Sequence, residues 1–222
     1  MTDTLSATAV EDTTPYEVHI SGNEDFLIPV VFPEFEIQVD SETIEVFGYK
    51  VSTPSVKAPY LGHAGVILIN GDTGLTRYYE FGRYRNHQSS ILGNVRKPSV
   101  SDVAIKNGLI TESSLKALLR EISAKAGQHG SISGVVLRGD FFKKADDWLK
   151  GKHRENNSPD KEEYDLYTHN CMTFVIDLAD YLGLETSWRP PIVVPTVYME
   201  QFQLTQPDLD YNYETDSLEV SD

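Results

Sequence analysis

The chain has one cysteine, Cys171, in 222 residues. An internal disulfide is therefore excluded, and the fold must hold without one; the redox state of the compartment stays open. Metal-ligand spacing is missing as well. A single cysteine and six histidines with no His-x-x-x-His pair supply no zinc ligand set. No glycine-rich loop follows a strand as phosphate binding requires, and no Gly-x-Ser-x-Gly elbow is present, so nucleotide binding and serine hydrolysis carry no signal. No apolar run approaches the roughly 18 residues of a membrane span. The opening stretch "MTDTLSATAVEDTTPYEVH" lacks the basic segment and apolar core of a signal peptide. Positive charge is scarce: 19 Lys and Arg against 34 Asp and Glu leave a net charge of −15. Such a surface repels phosphate backbones and anionic lipid, which argues against nucleic acid as a partner. These absences set the expectation of a chain made in the cytoplasm, with no cofactor, no metal and no transmembrane segment.

What is present is a globular composition, 40% apolar and 10% aromatic, at a length that supports one sizeable core. The ends are the exceptions. Residues 1–15 are rich in Thr, Ser and acid without periodicity, and 205–222, closing on "QPDLDYNYETDSLEVSD", are acidic; both are expected to be loose tails. A single domain is expected over 16–204, its first part, 16–58, rich in strands.

That first part carries short runs, "YEVHI", "FLIPVVF", "FEIQV" and "TIEVFGYKV", between turn signals such as Ser21-Gly22-Asn23. "HAGVILI" and "LTRYYEFGRY" then flank Asn70-Gly71-Asp72-Thr73-Gly74 and predict an antiparallel hairpin, His63 to Ile69 and Leu75 to Tyr84. After Thr111, the spacing of Leu115, Leu118, Leu119 and Ile122 predicts a helix that stops at Gly127. "SISGVVLRG" reads as a strand, "DFFKKADDWLKGK" as a short helix capped by Asp140, and "HRENNSPDKEE" as an exposed loop. A last helix is expected over Cys171 to Leu182, ended by Gly183, with Cys171, Val175, Leu178 and Leu182 on one face. Strands, hairpin, helix, strand, helix, helix and a Pro-rich "WRPPIVVPTVY" make an α+β pattern.

Cys171 falls at the start of its helix. There the free N–H groups and the macrodipole favour a thiolate and offer donors to an oxyanion. A small buried structural cysteine is the competing reading. A nucleophile needs a base, and His63 is the candidate, because it opens a strand held in a core and so projects from a rigid element; an idle, partly exposed histidine is its alternative. The base in turn needs a partner. Glu80, flanked by aromatics on the next strand, is costly to bury unpaired, and it pairs either with His63 or with Arg77, Arg83 or Arg85. Tyr78 and Tyr79 can take that third role if the register differs. Asn170 reads as the helix cap, and His169 can cap, contribute to an oxyanion site or do nothing. His19, His87, His129 and His153 read as surface residues.

"LGHAGVILI" on one strand, "YYEFGRY" on the next and "HNCMTFVIDLADYLG" on a later helix resemble the circularly permuted NlpC/P60 group of papain-like cysteine hydrolases, over about residues 60 to 185. The resemblance implies a papain-like fold with an antiparallel sheet packed against helices that include the cysteine helix. It puts the nucleophile on Cys171, the base on His63 and the third polar position, often His, Asn or Gln in that group, on Glu80. Asn170 and His169 would serve a capping or oxyanion role. The activities implied are peptidoglycan amidase or endopeptidase, with phospholipase or acyltransferase as an alternative, for which "PPIVVPTVY" could line an apolar channel. A non-catalytic interaction module is the reading from another class. The size also looks like that of small antibacterial effectors of type VI secretion. That likeness implies export by the secretion apparatus, action on peptidoglycan peptide in a target's periplasm, and an immunity protein as partner.

Overall fold

The computed structural model describes residues 24–39, 43–46, 49–52, 56–58, 61–84, 92–159 and 161–221. The expected tail 1–15, the "YEVHI" run, the Ser21-Gly22-Asn23 turn, His19, His87 and Arg85 lie outside the described residues.

The described residues open with strands β1 (Asp25–Phe32), β2 (Ile37–Val39), β3 (Thr43–Val46), β4 (Tyr49–Ser52) and β5 (Val56–Ala58). The expected hairpin follows as β6 (His63–Ile69) and β7 (Thr76–Gly82), then β8 (Asn94–Arg96) and the small β9 (Ile105–Lys106) and β10 (Leu109–Ile110). Helix α1 (Glu112–Ala126) leads to β11 (Ile132–Val135) and β12 (Leu137–Gly139), and then come α2 (Phe142–Glu155), α3 (Cys171–Leu182) and α4 (Pro195–Gln203). Strands β13 (Asp208–Asn212) and β14 (Ser217–Val220) close the chain. This is a mixed α+β fold on an antiparallel sheet of order β14-β13-β11-β1-β6-β7-β8, with β12 also paired to β1.

Helices cover both faces of that sheet. Phe26, Ile28, Val30, Phe32, Ile67 and Ile69 pack with α1 through Leu115, Leu118, Leu119 and Ile122. Leu27, Val31, Val66, Leu68, Tyr79 and Phe81 pack with α2, α3 and α4. Strands β1 and β6 are therefore buried on both sides, which explains why "FLIPVVF" and "HAGVILI" are nearly continuous apolar runs. Pro29 sits in the middle of β1 without an N–H to give. The neighbouring strand is interrupted beside it: β11 and β12 are separated at Val136, whose N–H goes to the Pro207 carbonyl at 2.9 Å. The single strand expected over 131–139 is thus two.

Three further expectations are corrected. Asp140 does not cap α2; the N-cap is Phe141, and the amides of Phe141 and Phe142 donate to Asp25 Oδ2 at 3.0 and 2.7 Å. A carboxylate from β1 reaches the helix start across the fold, which sequence proximity could not reveal. Helix α2 also runs on through His153, Arg154 and Glu155, so the exposed loop starts later than "HRENN" suggests. Over its described residues, 205–221, the expected acidic tail 205–222 is not loose. In β13 Leu209 and Tyr211 point inward between outward Asp208, Asp210 and Asn212, and the β13–β14 hairpin extends the sheet from β11. Burying Leu209 and Tyr211 is worth about 1.5–3 kcal/mol each, enough to hold an acidic edge whose charges stay in water. The Pro-rich segment ends in α4, where Pro195 takes the first-turn position that suits its missing N–H, and Tyr198, Met199 and Phe202 face the core.

Candidate active site

Helix α3 spans the expected residues, and its start is fixed by a full capping box. Asn170 Oδ1 accepts from the amides of Met172 (2.9 Å) and Thr173 (3.1 Å), and Thr173 Oγ1 accepts from Asn170 N at 2.8 Å. Both hydrogens of the Asn170 amide are also used, on the Leu166 and Val193 carbonyls at 2.7 Å each. Asn170 is thereby a cap that ties the loops on either side to the helix, with no donor left for an oxyanion. Gly183, at φ 75°, ends the helix in the left-handed conformation. Cys171 occupies the first helical position and is 1% exposed.

His63 stands at the first residue of β6, preceded by Gly62 at φ 71°. A Cβ at Gly62 would lie 2.8 Å from Thr196 Cγ2 and 3.2 Å from the Phe32 carbonyl, so both conformation and space demand glycine there. The His63 ring is tilted against Phe35 at 4.9 Å between centroids and stacked more distantly on Phe32. Glu80 is opposite Gly65 in the β6–β7 ladder, which makes it the diagonal neighbour of His63. His63 Nε2 meets Glu80 Oε2 at 3.0 Å, and the carboxylate is fully buried.

A buried carboxylate costs several kcal/mol unless it is paired and hydrogen-bonded. Glu80 is both. Tyr78 OH donates to Oε2 at 2.9 Å, in the space left by Gly65, where a Cβ would come within 2.3 Å of that hydroxyl. Arg96, opposite Glu80 on β8, places Nη2 2.5 Å from Oε1. Glu80 thus has an ion pair with a cation that the sequence did not suggest, Arg96. Arg77 turns to the Thr76 carbonyl. Tyr84 completes the group: its OH is 3.3 Å from His63 Nε2, and the Arg96 guanidinium lies over its ring at 4.3 Å.

Burial opposes an imidazolium at His63, yet the adjacent Cys171 sulfur, which is hydrogen-bonded to it, and the Glu80 carboxylate outweigh burial and raise its pKa to about 10. Burial also opposes the charged form of Glu80, but His63, Arg96 and the Tyr78 hydroxyl together hold it below the usual carboxylate range. Burial and the Glu80 charge push Tyr78 and Tyr84 well up, so both stay neutral. With Nε2 facing Glu80 and Tyr84, Nδ1 is the ring nitrogen left for the thiol.

The residues brought together are thus Cys171, His63 and Glu80. His169 is not among them: its Nε2 pairs with Glu162 Oε2 at 3.0 Å, and its ring packs on Phe81. Tyr79 faces the other side of β7, in the α2–α3 core. His129 packs on Tyr213, and His153 is exposed on α2. Sequence reasoning missed Tyr164. Its hydroxyl hydrogen-bonds to the Cys171 side chain and accepts from the Cys171 backbone N–H, and burial followed by the Cys171 charge keeps it a neutral phenol. It lies in the irregular segment "KEEYDLYTHN", where no periodicity points to it. Arg96 was equally hidden, on a three-residue strand. A narrow cleft reaches the thiol between Leu61, Gly62, Tyr164, Leu166, Val194 and Pro195. Among the described residues no cluster of three His, Cys, Asp or Glu is placed to hold a metal, and no helix is long and apolar enough to cross a membrane.

The family described as type VI secretion system effector TseH-like matches residues 27–182. Among solved structures, the crystal structure of the type VI secretion system effector TseH is 59% identical to this chain with a TM-score of 0.77, and the match covers 91% of this chain and 100% of that one. A search of the curated proteins gives no match.

Proposed function

The chain belongs to the TseH-like family of type VI secretion system effectors, and from that premise we propose that it is a cysteine hydrolase that cuts amide bonds in the peptide stems of peptidoglycan. The observation that carries this reading is the contact of the sole cysteine, at a helix start, with a histidine whose other nitrogen meets a buried, ionised glutamate. Those are the parts of an activated thiol: a base in reach and a group that orients the base.

In the proposed reaction His63 Nδ1 takes the Cys171 proton and the thiolate attacks the carbonyl carbon. The oxyanion would displace the Tyr164 hydroxyl from the Cys171 backbone N–H and accept from that N–H, and the Tyr164 O–H, turning from the sulfur, would be a second donor. His63 then gives its proton to the leaving amine. Water, deprotonated by His63, attacks the thioester and releases the acid. The secretion apparatus would deliver the protein, its site of action would be the target's periplasm, and an immunity protein would block the cleft.

The apolar lining of that cleft favours a second substrate class, the acyl ester of a phospholipid, processed by the same residues. Mass spectrometry of products from purified sacculi and from phospholipid vesicles separates the two. Soluble muropeptide fragments from sacculi, lost in Cys171→Ala, support the proposal. Fatty acid release from vesicles with intact sacculi replaces it with the lipase reading, and activity that survives Cys171→Ala removes both.

A further inference from the structure

We propose that Arg96 is a positioning residue for His63: by keeping Glu80 ionised while Cys171 is acylated, it holds the imidazole proton on Nε2 and leaves Nδ1 free to activate the hydrolytic water. This rests on the acyl-transfer reading above and concerns its second half.

Once His63 has taken the Cys171 proton, Cys171, His63, Glu80 and Arg96 form a row in which a thiolate, an imidazolium, a carboxylate and a guanidinium alternate in sign. At that point Glu80 has two cations, His63 and Arg96. Once the leaving amine has taken the His63 proton, Cys171 is a thioester and His63 is neutral. Among the described residues, Arg96 is then the cation that remains on a carboxylate with no exposed surface. The other described polar groups against Glu80 and His63 are the neutral phenols of Tyr78 and Tyr84, and Tyr164 contacts the thiol. None of these phenols supplies a counter-charge.

The tautomer of His63 follows from the charge of Glu80. An ionised carboxylate only accepts, so the ring proton sits on Nε2 and Nδ1 carries its lone pair toward Cys171. Water can then attack: its oxygen bonds to the acyl carbon as its proton passes to Nδ1, the C–S bond breaks, and sulfur leaves as a thiolate beside the renewed imidazolium. Without Arg96 the buried Glu80 next to a neutral ring takes up a proton. Its carboxyl O–H then donates to Nε2, the ring proton moves to Nδ1, and the base points a hydrogen at the water it should deprotonate. Arg96 also stacks on Tyr84, whose hydroxyl touches the same Nε2, so it supports both groups that read that nitrogen.

The test is the ring ¹⁵N and ¹H spectrum of His63 in full-length Cys171→Ala protein, which leaves the ring without a thiolate as acylation does. At a pH where the ring is neutral, His63 is expected to carry its proton on Nε2 with Arg96 or with Arg96→Lys, and on Nδ1 with Arg96→Met. In the enzyme with Cys171, Arg96→Met should lower kcat on sacculi at least about tenfold, a share of the roughly 10²- to 10⁴-fold general-base term, with KM falling alongside it because deacylation alone is slowed, and with the acid limb of the kcat pH profile moved up. Arg96→Lys should restore both. Thermal unfolding checks each variant, and Arg96→Gln replaces Arg96→Met if the latter does not fold. An Nε2 proton retained in Arg96→Met, or in Arg96→Gln where that stands in, overturns the proposal whatever the sacculi show. A switched tautomer in a protein that leaves sacculi intact supports it and removes the peptidoglycan reading instead.

Discussion

Two His–Glu pairs in this molecule have the same geometry, Nε2 to Oε2 at 3.0 Å, and very different settings. His63–Glu80 joins side chains 7% and 0% exposed, whereas His169–Glu162 joins side chains 30% and 45% exposed, two residues from the cysteine in sequence. In the buried pair every charge meets a further partner: the thiol on the imidazole, and Arg96 and Tyr78 on the carboxylate. The exposed pair shares Glu162 with Lys152 and holds the segment before α3 in place. A contact distance alone does not mark a site. Its worth is set by how much water has been removed and by how the remaining lone pairs and protons are satisfied.

Replacing the bases separates the pairs most sharply. His63→Ala should lose at least about 10³-fold in product release from sacculi, since nucleophile and base act as a unit, while His169→Ala should stay within about threefold. Equal losses would erase the distinction. The acids come next. Glu80→Gln is expected to cut kcat about 100-fold and to cost roughly 2–3 kcal/mol in chemical unfolding, somewhat below a fully buried broken pair because Arg96 keeps contact with water. Glu162→Gln should cost less than about 1 kcal/mol and leave turnover near wild type.

The smallest effect is a pH dependence of stability. His63 is raised from an ordinary value of 6.5 to about 10, so its stabilising contribution is complete below about pH 6.5 and is lost as pH rises through 10. The Tm of the wild type should therefore fall over that window more than the Tm of a His63→Phe variant. Parallel curves for the two proteins would mean that His63 holds no extra proton in the fold.

Much of this arrangement was readable from residues alone, and the failures have physical causes. The hairpin and the cysteine helix were legible because their punctuation is local: Asn70 to Gly74 between two apolar runs, Asn170 before α3 and Gly183 after it. Within that hairpin, the pairing of Glu80 with Gly65 makes the His63 contact a matter of strand geometry. The β13–β14 hairpin was obscured because its acids, counted together, outweighed the alternation of Leu209 and Tyr211. Asp140 stood where a cap belongs, but the free amides of α2 are met by Asp25, more than a hundred residues away in sequence. Arg96 and Tyr164 were invisible for a related reason. Each serves the site from an element too short or too irregular to have a period, and only the sheet order and the path of the loop before α3 bring them to Glu80 and Cys171.

The central claim is that the Cys171–His63 pair, and not the neighbouring His169, drives hydrolysis of peptidoglycan stems. Liquid chromatography with mass spectrometry of the soluble fraction from purified sacculi, run in parallel with wild type, Cys171→Ala, His63→Ala and His169→Ala, tests it most directly. The account predicts peptide-bearing fragments with a new amine and a new acid at one stem bond from wild type and His169→Ala, and none from Cys171→Ala or His63→Ala. The same fragments from Cys171→Ala, or none from folded wild type, would contradict it.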